Sequence, residues 1–297
     1  MAKVPHFFKA KSRLGAIYKL IRQDHYVSGV EDGPDYILTG DFLKLFPQSE
    51  VSEYEFSSPD KVPEKEYYPV LAKELEEFIN LINSEVKPSE TQVVIGGDNT
   101  VTFSSMLALI RRNKNVKDIG YVQFDSHGEM HLYQSSVSKN FHGMYMRPFF
   151  DKFDIEEIEK LVPEKLERDQ AFTIGDIIFD EGDEHPAGEI KFYEKIRNVR
   201  REEFLKEKAQ VLNEFGIFTK KYQHLFVNFD IDVFDGTEAG ATGEDEGVWF
   251  WQEINEFLEI ISRHQDVSID LVEINPHMKS AKKTIKLAHE ILTKVLS

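Results

Sequence analysis

Residues 119–129 read IGYVQFDSHGE. The first six residues lack the polar alternation of a half-exposed strand, so they fit a strand covered on both faces. The run stops at Asp125-Ser126-His127-Gly128-Glu129. Residues two apart in extended chain point the same way, so Asp125, His127 and Glu129 are expected to converge beyond the strand tip.

Comparable apolar runs occupy 92–95, 171–174, 224–229 and 268–274. Between and after them, amphipathic or charged stretches at 101–112, 155–166, 189–215, 249–263 and 280–296 fit helices. This alternation predicts βαβ units around a parallel sheet, and an α/β fold. Neither an internal repeat nor a Gly/Ser linker interrupts the chain, so residues 1–297 are read as one domain. The acidic segment 176–189, with Pro186 and two glycines, is expected to be a loop, and the charges after it an exposed helical face.

The 297 residues, 41% of them hydrophobic, can bury a substantial core. No apolar run is long enough to span a bilayer, and charges scattered through residues 1–26 argue against a signal peptide. The absence of cysteine excludes disulfides, thiolate metal sites and cysteine nucleophiles, and suits a cytoplasmic setting. A formal net charge of −17 argues against nucleic-acid binding and favours cationic substrates or carboxylate-held metal ions.

Open α/β sheets bind ligands beyond the carboxyl ends of their strands. Four such ends carry polar clusters here: Gly96-Gly97-Asp98-Asn99, Asp125 to Glu129, Asp230-Ile231-Asp232, and Glu273 within IDLVEINP. Carboxylates with an imidazole form a hard, oxygen-rich site suited to Mn²⁺, Zn²⁺, Fe²⁺ or Co²⁺. Without a cation, carboxylates gathered in one place would repel one another strongly. A single D-x-D is more often a turn or cap than a ligand pair. The whole set, each piece after its own apolar run, is far more specific.

In order, VVIGGDNTVTFSS, YVQFDSHGEMH, SKNFHGM, FVNFDIDVFD and LVEINP resemble the motifs of the arginase/agmatinase (ureohydrolase) family, from about residue 92 onward. The first ninety residues carry no matching motif. The resemblance implies a three-layer α/β/α arginase-like fold, trimeric or hexameric assembly, and two Mn²⁺ ions serving the hydrolysis of a guanidinium carbon with release of urea. Asp125, His127, Asp230 and Asp232 match the ligands of one metal, and Asp125 and Asp230 bridge to the other. Glu273 matches the carboxylate that holds the guanidinium, and His142 the proton-shuttling histidine. With Asp125 they form the implied catalytic set. Ser138 and Asn140 match positions that meet a substrate α-carboxylate, Asp180 is placed to meet an α-amino group, and Thr242 falls in another pocket segment. His131 and Tyr133 either line the pocket or are ordinary loop residues, with the second preferred.

Two departures fall on one metal: Asn99 stands where the family has histidine, and Glu129 where it has aspartate. An amide oxygen is a weaker donor than imidazole, and the extra methylene of glutamate moves its oxygen. That ion is expected to bind weakly, to be harder, or to be absent. Ile177 and the pair Glu244-Asp245 also depart from the pattern, which leaves the substrate open. Three readings follow: a Mn²⁺-dependent hydrolase of a small guanidino or amidine compound, with arginine or a derivative favoured; a single-metal amidohydrolase resembling the deacetylases; and an inactive member with an assembly or regulatory role.

Overall fold

The computed structural model describes residues 3–16, 28–113, 115–136, 138–179, 188–243 and 247–297. Eight strands, β1 (Val4–Lys11), β2 (Glu50–Glu55), β3 (Glu90–Gly96), β4 (Ile119–Phe124), β5 (Ala171–Ile174), β6 (Arg197–Val199), β7 (His224–Asp230) and β8 (Val267–Val272), form one sheet. Their order is β2-β1-β3-β8-β7-β4-β5-β6, and every pairing is parallel. The helices are α1 (Gly33–Ile37), α2 (Gly40–Leu43), α3 (Tyr67–Glu85), α4 (Thr100–Arg112), α5 (Glu156–Glu159), α6 (Glu189–Tyr193), α7 (Arg201–Lys221), α8 (Trp251–Ser262) and α9 (Ala281–Leu296).

Alternate residues of the central strands enter opposite cores, as the two-residue repeat of a strand demands. Val94, Tyr121, Phe226 and Val272 pack with Leu75 and Phe78 of α3 and Phe103 and Leu107 of α4. Val93, Val122, Val227 and Ile269 pack on the other face with Phe215 of α7, Phe257 of α8 and Leu292 of α9. The result is the expected three-layer α/β/α arrangement. Among the described residues no helix is long and apolar enough to cross a membrane.

The structure departs from the sequence expectation in three places. Strands β1, β2 and β6 were not anticipated; β2 alternates exposed acidic residues with half-buried ones, as an outer strand can. The helix expected over 155–166 shrinks to α5, because Pro163 disfavours helical geometry in the residue before it. The stretch 189–215 is not one helix but α6, the short β6 and the start of α7.

The order β3-β8-β7-β4 at the centre matters most for function. The four polar clusters follow four adjacent strands, so they share one rim of the sheet although up to 174 positions separate contacting residues.

Candidate metal centre

Just past β4, the Asp125 N–H donates to Ile174 O (3.2 Å), which carries the chain one residue beyond the strand. The Asp125 carboxylate then accepts the N–H of His127 (2.7 Å) and the Gln123 amide (2.8 Å). These bonds turn the chain, so His127 is aimed by a capped turn rather than by continued extension. The same device recurs after β7. Asp230 caps a 3-10 turn, Ile231–Val233, by accepting the Asp232 N–H at 2.9 Å. Asp232 in turn accepts the N–H of Ser126 at 3.0 Å, tying the two tips together.

His127 Nδ1 lies 2.9 Å from Asp232 Oδ2 and 3.7 Å from Asp125 Oδ1. The ligand atoms of Asp125, His127 and Asp232 all fall within 4.8 Å of one another. Both carboxylates are fully buried, and the imidazole side chain is 23% exposed. Burial and the charge of Asp232 push the Asp125 carboxyl up to about 6. Burial works against a charged His127, yet Asp232 and Asp125 outweigh it and hold the imidazole well above its ordinary range. Two buried carboxylates and an imidazole nitrogen at this spacing fit a divalent cation, which would replace a shared proton as the positive charge between them.

Asp230 sits beside this group and is not a member of it. Its Oδ1 accepts the Asp232 N–H and its Oδ2 accepts the Asn99 side-chain N–H at 2.5 Å. Burial, then Asp232, Asp125 and Glu273, push its carboxyl well above the usual range. Glu129 is also buried and raised, by burial first and Asp125 second, and its Oε2 has no hydrogen-bond partner.

Glu273 follows β8 with a left-handed φ of 62°, its N–H on Gly97 O and its carbonyl accepting from Gly243, both at 2.8 Å. This bend ends the strand at Val272, two residues earlier than the apolar run suggested. Glu273 Oε1 accepts the Asn99 backbone N–H at 2.8 Å and lies 3.9 Å from His142 Nδ1. Glu129 (φ 60°) and Glu273 are two of the three described non-glycine residues with positive φ, the third being Lys139. Such backbone costs about 1–3 kcal/mol each and persists only where neighbours enforce it.

His142 lies in the turn Phe141–Met144, its side chain 13% exposed. Ser138 and Asn140 are half-buried on the loop leading into it, with Asn140 N–H on Ser138 Oγ at 3.3 Å. Thr242 is buried and bridges to Ile274, beside Glu273. Asp180, Glu244 and Asp245 lie outside the described residues. His131 is buried with Nε2 3.5 Å from Glu189 Oε2, and Tyr133 is half-buried beneath the Lys139 ammonium.

Glu189 escaped sequence reading. Placed in an exposed charge run, it is 2% exposed and accepts the Met130 N–H at 2.5 Å, holding the chain just past Glu129. Nothing in its local sequence marks it as buried. Gln123 did carry a signal, a lone polar side chain inside an apolar run. Asp98 is buried too, and its Oδ2 accepts the Gly15 N–H at 2.6 Å, drawing the segment after β1 onto the rim.

The sequence profile of the arginase family matches residues 15–297, reaching back through the region that carried no recognisable motif. Among curated relatives, the arginase of Plasmodium berghei (strain Anka) is 28% identical over 223 residues, covering 73% of this chain and 61% of its own. Mitochondrial arginase-2 of Mus musculus is 26% identical over 297 residues, covering 89% and 79%. The matched stretch spans 61%, 64% and 57% of the first three of these relatives, less than two thirds of their length. Among solved structures, Entamoeba histolytica arginase in complex with L-ornithine superposes with a TM-score of 0.82 at 19% identity, covering 100% and 99% of the two chains. Formimidoylglutamase from Bacillus subtilis superposes with 0.68 at 15% identity, covering 99% and 86%. With a family profile matched over nearly its whole length on an eight-stranded parallel sheet, this chain belongs to the arginase family.

Proposed function

We propose that this chain is a metal-dependent hydrolase of a C–N bond in a small cationic guanidino or amidine compound, arginine or a derivative of it in the first place. The observation that carries this reading is the convergence of Asp125, His127 and Asp232 within 4.8 Å at the carboxyl ends of adjacent central strands. These three residues would hold a divalent ion, Mn²⁺ by family resemblance. When bound, such an ion acts as a Lewis acid and lowers the pKa of water.

The chain's own residues supply the rest. Glu273, fixed by the Asn99 backbone N–H and by its strained φ, offers a buried carboxylate to a cationic substrate head. His142, 3.9 Å from that carboxylate and partly exposed, is placed to pass a proton to the departing amine. Ser138 and Asn140 suit a substrate carboxylate, which favours arginine over a decarboxylated analogue. Asp180 and Thr242 remain assigned to the pocket by resemblance. The net charge of −17 draws cations toward the rim. A cytoplasmic setting and a trimeric or hexameric assembly belong to the same reading.

The test is urea release from a panel of guanidino compounds after Mn²⁺ loading. Activity on at least one member, lost in Glu273→Gln with ion binding retained, supports the proposal. Silence across the panel with Mn²⁺ demonstrably bound counts against it. The contact between Asn99 and Asp230 favours a second reading, a one-ion amide hydrolase, so N-acetylated amines belong on the panel.

A further inference from the structure

We infer that the Asn99 amide stands where a two-ion centre would hold its second cation, so that this chain binds one divalent ion. The inference deepens the proposed function and rests on it. Asn99 Nδ2 lies 2.5 Å from Asp230 Oδ2, in a fully buried contact. An amide oxygen in that place would set two acceptors against each other at contact distance once Asp230 is ionised, whereas the N–H facing the carboxylate satisfies both groups. With Oδ1 already capping Asp232, both oxygens of Asp230 carry donors. A neutral amide thus makes, by hydrogen bond, the contact to Asp230 that a bridging cation would make by charge.

The surrounding geometry agrees. Among the described residues, Asp125, His127 and Asp232 converge to ligand spacing, whereas neither Asp230 nor Glu129 joins them. Glu129 is held from both sides: the Tyr193 hydroxyl donates to the Gly128 carbonyl before it (2.9 Å), and the peptide after it accepts from Met146 N–H (3.1 Å) and donates to Glu189. Its longer side chain therefore cannot gain reach by shifting the backbone. Two buried oxygens, Asn99 Oδ1 and Glu129 Oε2, have no hydrogen-bond partner. Where the family pattern has an imidazole nitrogen, Asn99 offers only this amide oxygen.

The variants Asn99→Asp and Asn99→His remove the amide N–H and add a charged or nitrogen donor. Wild-type protein dialysed against Mn²⁺ should retain about one ion per chain by elemental analysis, and either variant about two, if donor number sets occupancy. Electron paramagnetic resonance gives a readout independent of catalysis: an isolated Mn²⁺ in the wild type, an exchange-coupled pair in the variant. Two ions in the wild type would overturn this inference and leave the proposed function standing. No ion at all would overturn the proposed function itself. One ion in the wild type and one in each folded variant would show that the amide is not what excludes the second, again overturning the inference. Should neither variant fold, the wild-type count and spectrum decide alone.

Discussion

His127 Nδ1 lies 2.9 Å from Asp232 Oδ2, across the tips of the neighbouring strands β4 and β7. In the metal-free protein this contact is charge-assisted, because Asp232 and Asp125 together keep a proton on the imidazole against the pull of burial.

From that contact follows a pH dependence of metal affinity. A cation needs Asp125 ionised and His127 neutral, so protons compete with it. Because Asp125 is pushed up to about 6, the competition grows as pH falls through that value, and His127 adds to it at higher pH. Affinity for Mn²⁺ should weaken steadily from pH 8 to pH 5, with protons released on binding. Titration calorimetry in buffers of different ionisation enthalpy measures both. A pH-independent affinity would count against the site.

Asp270, away from the metal centre, should tune stability. It is fully buried within β8, accepts the Ser105 hydroxyl at 2.6 Å, and burial pushes its carboxyl well above the ordinary range. Between the unfolded and folded pKa values the native state holds a proton that the unfolded chain has lost, so stability falls as pH rises through that window. The slope for one such group approaches about 1.4 kcal/mol per pH unit. Asp270→Asn keeps an acceptor for Ser105 and removes the titration. Urea denaturation at pH 5, 6 and 7 should show the variant gaining on the wild type at each step, and parallel curves would refute the assignment.

Glu189 should matter to the metal through the loop it holds. Glu189→Ala leaves the buried Met130 N–H unpaired, at a cost of about 1–3 kcal/mol. Freed of its anchor, the 125–131 loop should also bind Mn²⁺ more weakly. Glu189→Gln keeps the acceptor and should recover most of both losses. Equal affinity in all three proteins would detach Glu189 from the site.

Gly15, after β1, packs against the rim. A Cβ there would lie 1.7 Å from Thr100 Oγ1, 2.7 Å from Asp98 Oδ2 and 3.1 Å from His142 Cβ. Its N–H donates to Asp98 and its carbonyl accepts from His142 N–H at 3.4 Å. Gly15→Ala should therefore displace His142, lowering kcat on any active substrate while leaving Mn²⁺ affinity near wild type. Overpacking of this kind costs about 1–3 kcal/mol of stability. A variant with normal kcat would mean that the clamp does not position His142.

The buried centre of this fold was legible because its strands are covered on both faces. Runs such as VVIG and IGYVQF have no other economical home, and the polar clusters at their ends stand out against them. Two strands at this end of the sheet were not legible: the edge strand Glu50–Glu55 alternates charges because it meets solvent, and Val4–Lys11, one strand in, has its apolar run broken by Pro5, His6 and two lysines. Asp125, His127 and Asp232 were expected together and are together, although capped turns rather than extended chain aim them. Asp230 was expected among them and instead faces Asn99, a distinction of side-chain direction that spacing does not encode. Glu189 was invisible because burial of a charged residue depends on a neighbour some sixty positions away.

A cation seated among Asp125, His127 and Asp232 is the central element of the proposed function. Crystals grown with Mn²⁺, measured at the manganese absorption edge, test it most directly. An anomalous peak within ligand distance of all three side chains is the expected result. A protein that crystallises from Mn²⁺ with that position empty of anomalous density, or with manganese bound only elsewhere, would contradict it.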